Sequence, residues 1–272
     1  MLRTLAAPSI AALAALSLAL PAVAADVEHR ESTPTSQRIG RVVAQDCKNL
    51  AVTVELNAGQ KRRAAAMLPR GFRLTSEPTL LVESSTCRTA TVDGVRIGRF
   101  SLSESALSIV APHPITSSVM TERSAENIFM LSQLDTNRRL SGFKAGVGYR
   151  SEVTDIEIDL GNPLLPRTAT ATAGGTLAPS HVESQLTPSL PDGVRIPNPG
   201  VVYKLWTRDD RGRDVVTTNS NFSLGNVAVG FGTVHVERGT RLFRLLGGAT
   251  ASGFSFSGSA TRFVNDTHRF AR

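Results

Sequence analysis

The strongest constraint on this chain is its punctuation. From Arg41 onward, short runs alternating apolar and polar residues are broken at frequent intervals by Gly, Pro, Asp or Asn. The segment 153–160 is the clearest case. Ile156, Ile158 and Leu160 alternate with Asp155, Glu157 and Asp159, the pattern of a strand with one buried face and one wet face. The acidic row reads as a solvated outer face rather than a cation site. Segment 50–56 alternates in the same way. Asp93-Gly94 between apolar runs is a two-residue hairpin signal, since both residues tolerate positive φ. Asp209-Asp210-Arg211-Gly212-Arg213, between 201–207 and 214–218, reads as a second hairpin. Further strands are expected at 41–43, 80–83, 89–92, 100–110, 167–177, 226–237 and 253–263, with Gly230 and Gly232 marking bulges or bends. Segment 127–134 suits either a helix or a buried strand and is read as a strand, whereas the proline-rich 179–200 is read as loop. Only two helices are expected. One covers 60–68 and is stopped by Pro69; the other follows Gly239-Thr240, places Leu242, Leu245 and Leu246 on one face, and ends at Gly247-Gly248. The fold class is therefore mainly β (α+β), mostly antiparallel, closed or sandwiched, with a few short helices.

The first residues carry an address. Arg3, the apolar run from Ile10 to Leu20 and the small-x-small Ala22-Val23-Ala24 make 1–24 a secretory signal peptide, too short to be a spanning helix. No later run is long enough to cross a bilayer. The polar stretch 25–40 reads as a flexible arm, and 41–268 as a single domain. The expected location is secreted, extracytoplasmic. There Cys47 and Cys87, the only two cysteines, are expected to form a disulfide.

The chain carries a net charge of +7, but its arginines are scattered, which argues against nucleic acid as a partner. Of 30 basic residues only Lys48, Lys61, Lys144 and Lys204 are lysine. His29, His113, His181, His235 and His268 are dispersed, so no metal site and no hydrolase triad is expected. Gly253-Phe254-Ser255-Phe256-Ser257 lacks the last glycine of a nucleophile elbow. Gly142-Phe143-Lys144-Ala145-Gly146 lacks the ending of a phosphate-binding loop, and no cofactor is expected. One pair suggests chemistry: Glu104 on a strand and Lys144 just after a glycine. A buried lysine can lose its proton and act as a nucleophile, and a nearby carboxylate can exchange protons with what it binds. The plainer alternative is an exposed loop lysine and a solvated strand glutamate.

Leu68-Pro69-Arg70-Gly71-Phe72 after a short helix resembles the Leu-Pro-x-Gly opening of the acetoacetate decarboxylase superfamily. The order that follows is also similar: a strand bearing Glu104, then Arg139-Leu140-Ser141-Gly142-Phe143-Lys144, against the family's Arg-Glu-x-x-Gly-(Phe/Tyr)-Pro-Lys-Lys. The resemblance spans roughly 45–262. It implies a closed antiparallel β cone around an apolar cavity, with Lys144 as the Schiff-base lysine and Glu104 arranging the site. The proline before the lysine is missing, Leu140 stands where the family has glutamate, and Ala145 replaces the second lysine. The reading drawn is a secreted protein that binds a small apolar or carboxylated molecule in a central cavity without decarboxylating it. The alternatives are a Schiff-base carbon-carbon lyase using Lys144 and an envelope-associated structural protein without ligand. An ion pair between Lys144 and Glu104 is expected to hold the lysine charged if both are buried.

Overall fold

The computed structural model describes residues 36–112, 126–190, 195–196, 203–220 and 224–271. These belong to one unit covering 33–272. Residues 1–24, read as a signal peptide, most of the 25–40 stretch including His29, and His113 lie outside the described residues.

Two long strands frame the molecule. β1 (Ser36–Glu55) and β15 (Thr250–Phe270) pair antiparallel along almost their whole length. β1 begins at Ser36, ahead of the start expected at Arg41. Its other edge pairs β3 (Thr79–Val92), which runs on through β5 (Phe100–Val110), β6 (Asn127–Asp135), β12 (Lys204–Arg208) and β13 (Asp214–Ser220) back to β15. Those seven strands form a ring-like closure. The rest of the edge that β15 offers to β13 carries a branch: β14 (Leu224–Val236), β10 (Ser180–Leu186), β9 (Arg167–Ala173) and β8 (Ile156–Asp159). Short strands β2 (Arg73–Leu74), β4 (Val95–Arg96), β7 (Ser151–Val153) and β11 (Arg195–Ile196) attach at the margins.

The mainly β class holds, and 127–134 is indeed strand. The mostly antiparallel sheet holds as well; the exceptions among the described pairings are β6 with β12 and β6 with β7, which are parallel and make the sheet mixed. Both hairpins form; at the first, Asp93 and Gly94 each take positive φ. Segment 180–186, read as loop, is strand β10, its buried Ser180, Val182, Ser184 and Leu186 alternating with more exposed residues. Strand 153–160 is interrupted, β7 ending at Val153 and β8 starting at Ile156. Gly230 is not a bulge. A side chain there would overlap the Gln185 carbonyl of β10, so glycine permits close strand approach, and the register shift lies between Gly225 and Ala228.

Period-two alternation gives the ring two distinct faces. On one, Leu50, Val52, Val54, Leu80, Val82, Leu107 and Leu131 build the main core with the branch sheet and two helices, α1 (Ala58–Met67) and α3 (Arg241–Leu246). Trp206 stacks on Phe270 there, ring centroids 5.7 Å apart. α1 is started by reciprocal bonds between Asn57 and Gln60, and Arg63 donates to the carbonyls of Leu245 and Leu246, tying α1 to the end of α3. On the other face, the alternate residues line a cavity.

Candidate functional site

The cavity lies against α2 (Arg138–Gly146), an element read as a segment without helix. Asn137 starts it by accepting from the N–H groups of Arg139 and Leu140, at 3.0 and 3.1 Å, while donating to the Ile97 carbonyl at 3.2 Å. The helix is thereby tied to the turn between β4 and β5, and it packs against β6 and β7. Leu140, Ser141 and Lys144, three and four residues apart, share its buried face. At the exit Gly148 takes positive φ, and a side chain there would meet the backbone of Arg208. Lys144 is only 3% exposed and lines a cavity of about 90 Å³. That exceeds the ~10–15 Å³ one water needs, so the space admits a small organic molecule.

Across the cavity stand two carboxylates. Glu83 on β3 and Glu104 on β5 are directly opposite each other in the antiparallel pair, and both line the wall. Glu83 accepts from the Asn49 amide at 3.0 Å and the Ser85 hydroxyl at 3.1 Å. Glu104 makes no side-chain hydrogen bond or ion pair among the described residues. Both keep some accessible surface, and that surface belongs to the cavity wall. A third carboxylate, Asp135 at the end of β6, is fully buried; it accepts from Gln133 and from Ser151, whose hydroxyl also bonds Ser141 of α2 at 2.7 Å.

These groups shift one another's protonation. Burial lowers the pKa of Lys144; the negative charges of Glu104 and Asp135 oppose this without reversing it. Burial raises Glu104 to about 8, helped by Glu83 and Asp135 and opposed by Lys144. Burial likewise raises Glu83 against its two hydrogen bonds, and pushes Asp135 up to about 6. The expected Lys144–Glu104 ion pair does not form. Lys144 has no hydrogen bond and no ion pair among the described residues; its Nζ lies 4.5 Å from the centroid of the Tyr149 ring, which faces it from just beyond the helix. Burial thus favours a protonated Glu104 near neutral pH and draws Lys144 toward its uncharged form.

The fold of this chain is found in solved structures. An acetoacetate decarboxylase-like enzyme from Sphingomonas wittichii RW1 superposes with a TM-score of 0.58 at 11% identity, covering 85% of this chain and 92% of that one. The chain has the acetoacetate decarboxylase-like fold. The acetoacetate decarboxylase of Legionella pneumophila subsp. pneumophila matches this fold with a TM-score of 0.58, 10% identity and coverage of 98% of both chains. The enduracididine biosynthesis enzyme MppR complexed with pyruvate gives 0.57 and 11% identity, with coverage of 85% and 89%. No protein-family model matches the sequence, and no match is found among curated proteins.

Within this fold Lys144 and Glu104 come to one cavity. Cys47 and Cys87 face each other across β1 and β3 as a disulfide, with Cys47 in the cavity wall. Glu83, Asp135 and Tyr149 were not singled out from the sequence. Glu83 is adjacent to Glu104 only through strand register, and no local pattern signals that. Among the described residues no helix is long and apolar enough to cross a membrane, and no group of His, Cys, Asp and Glu is placed to hold a metal ion.

Proposed function

We propose that this protein is a Schiff-base-forming enzyme acting on a small carbonyl compound, with Lys144 supplying the amine and Glu104 the proton. The observation that carries this reading is a lysine buried to 3% exposure that faces a cavity without any hydrogen-bonded or ion-paired partner among the described residues. Only such a lysine keeps its lone pair near neutral pH. In the reaction, the Nζ lone pair attacks the carbonyl carbon and a C–N bond forms. Glu104, protonated below about pH 8, donates one proton to the carbonyl oxygen, the attacking nitrogen gives up the second, and the oxygen leaves as water. The resulting iminium takes up the electron pair of an adjacent C–H or C–C bond, and Glu104, now a carboxylate, accepts the proton released.

Decarboxylation is the less favoured of the reactions open to such an iminium. Ala145 removes the second lysine that the resemblance implies, and among the described residues no arginine lines the cavity. Condensation, dehydration or aldol-type cleavage needs no carboxylate site. MppR, solved with pyruvate and with the condensation product of pyruvate and imidazole 4-carboxaldehyde, is a precedent for such ligands in this fold. The non-catalytic reading, a carrier of a small molecule, draws support from the apolar part of the wall, including Leu102, Ile128, Leu205 and Phe263. The cavity itself argues against a purely structural role. Export is part of the proposal, supported by 1–24 and by the disulfide.

Incubation with pyruvate or hydroxyacetone and cyanoborohydride tests the enzyme reading. The expected result is one reduced adduct on the peptide containing Lys144, absent in Lys144→Ala. No adduct, or an even spread over the four lysines, would leave the carrier reading in its place.

A further inference from the structure

The unsatisfied groups of the cavity wall share one character: apart from Lys144, they accept hydrogen bonds. The side-chain oxygens of Asn49, Asn219 and Asn265 are buried without a partner, and all three residues line the cavity. They come from β1, β13 and β15, and Asn219 sits directly opposite Asn265. Asn49 presents its N–H to Glu83, which fixes its oxygen as the free end. The carboxylates of Glu83 and Glu104 face each other on the same wall. Against these acceptors the wall offers, among the described residues, Lys144 and the exposed Lys48 and no arginine. A buried acceptor left unpaired is costly, so the wall is short of donors and of positive charge. An anionic ligand would worsen both deficits.

We infer that the site takes a carbonyl compound bearing a protonated primary amino group, with the ammonium held by Glu83 and by the asparagine oxygens. An ammonium carries three donors and one charge, matching what the wall lacks. Placed beside Glu83, it stabilises the charged form that burial disfavours. It also adds a positive charge beside Lys144, which drives that amine further toward its nucleophilic form. The carbonyl half of this inference rests on the Schiff-base reading; the ammonium half rests on the wall alone.

The test is a calorimetric titration of the full chain with aminoacetone, hydroxyacetone, acetoacetate and the carbonyl-free isopropanolamine, with cyanoborohydride trapping in parallel. Aminoacetone and isopropanolamine are expected to bind at least about tenfold more tightly than hydroxyacetone or acetoacetate. Glu83→Gln should shrink the preference of aminoacetone over hydroxyacetone by about tenfold. Equal or tighter binding of hydroxyacetone or acetoacetate by the unmodified protein, an unchanged preference in Glu83→Gln, or no binding of any of the four overturns the inference. The two readings separate cleanly. Amines that bind without a reduced adduct at Lys144 sustain the ammonium site and refute the Schiff base. Adducts formed as readily from acetoacetate as from aminoacetone do the reverse.

Discussion

Lys144 and Glu104 are displaced toward neutrality by the same cause, the removal of water from around each charge, and their mutual attraction is too weak to undo it. This has a consequence for stability. The folded-state pKa of Glu104 is about 8 against an ordinary 4.5, so between those values the folded chain holds a proton that the unfolded chain has released. The stability this contributes is fully present below 4.5 and is lost as pH rises through 8. Glu104→Gln keeps the neutral form at every pH. Its melting temperature should therefore rise relative to the unmodified protein as pH goes from below 4.5 to above 8, and a constant difference would contradict the assignment. At this scale the sequence revealed the lysine and its strand glutamate through their order along the chain. It could not reveal Glu83 or Asp135, because their roles arise from burial and cross-strand register. Nor could it show that Lys144 escapes an ion pair, which depends on where α2 is anchored by Asn137.

Two strands do most to hold the elements together. β15 pairs β1 on one edge and divides the other between β13 and β14, so its backbone is enclosed from both sides. Gly253 lies where a side chain would overlap the Thr53 carbonyl of β1, and Gly230 makes the equivalent approach to Gln185 of β10. Gly253→Ala or Gly230→Ala should destabilise by roughly 1–3 kcal/mol, as overpacking does, read as a fall in the denaturation midpoint. An unchanged midpoint would show that the strands separate freely. The Cys47–Cys87 bridge closes a separation of 40 residues between β1 and β3. Removing both sulfurs with Cys47→Ser and Cys87→Ser should cost about 4 kcal/mol in the chain-entropy view, and a loss of well under that would place the stability in the sheet pairing instead. Hairpins and helix ends were legible because Asp93-Gly94, Pro69 and Gly247 act locally. The lengths of β1 and β15 were not, since polar interruptions such as Gln45-Asp46 or Asn265-Asp266 look like breaks until partners on both edges are known. β10 was hidden by the prolines that follow it, although its own alternation was present. Parallel pairing of β6 with β12 joins residues too far apart in sequence for any local signal.

At the scale of the molecule, the closed ring explains why a cavity exists at all. One face of each strand is spent on the core with α1, α3 and the branch sheet, and the alternate residues are left facing inward. The mainly β class was readable from alternation and turns; the cavity and its acceptor-rich wall were not, because they require the ring to close. Export is a separate matter of address. Intact-mass analysis of protein recovered from outside the cytoplasm should lack residues 1–24, and material retaining Met1 would contradict the signal-peptide reading. The account turns on the protonation of a single amine, and the chain's composition makes that amine observable. With lysine labelled at Cε, nuclear magnetic resonance of the intact protein shows only four such sites, and Lys144→Ala identifies the one that matters. The account predicts that the Lys144 signal titrates clearly below the ordinary lysine value of 10.5, apart from the exposed lysines. A Lys144 signal that titrates at or above that value would contradict it.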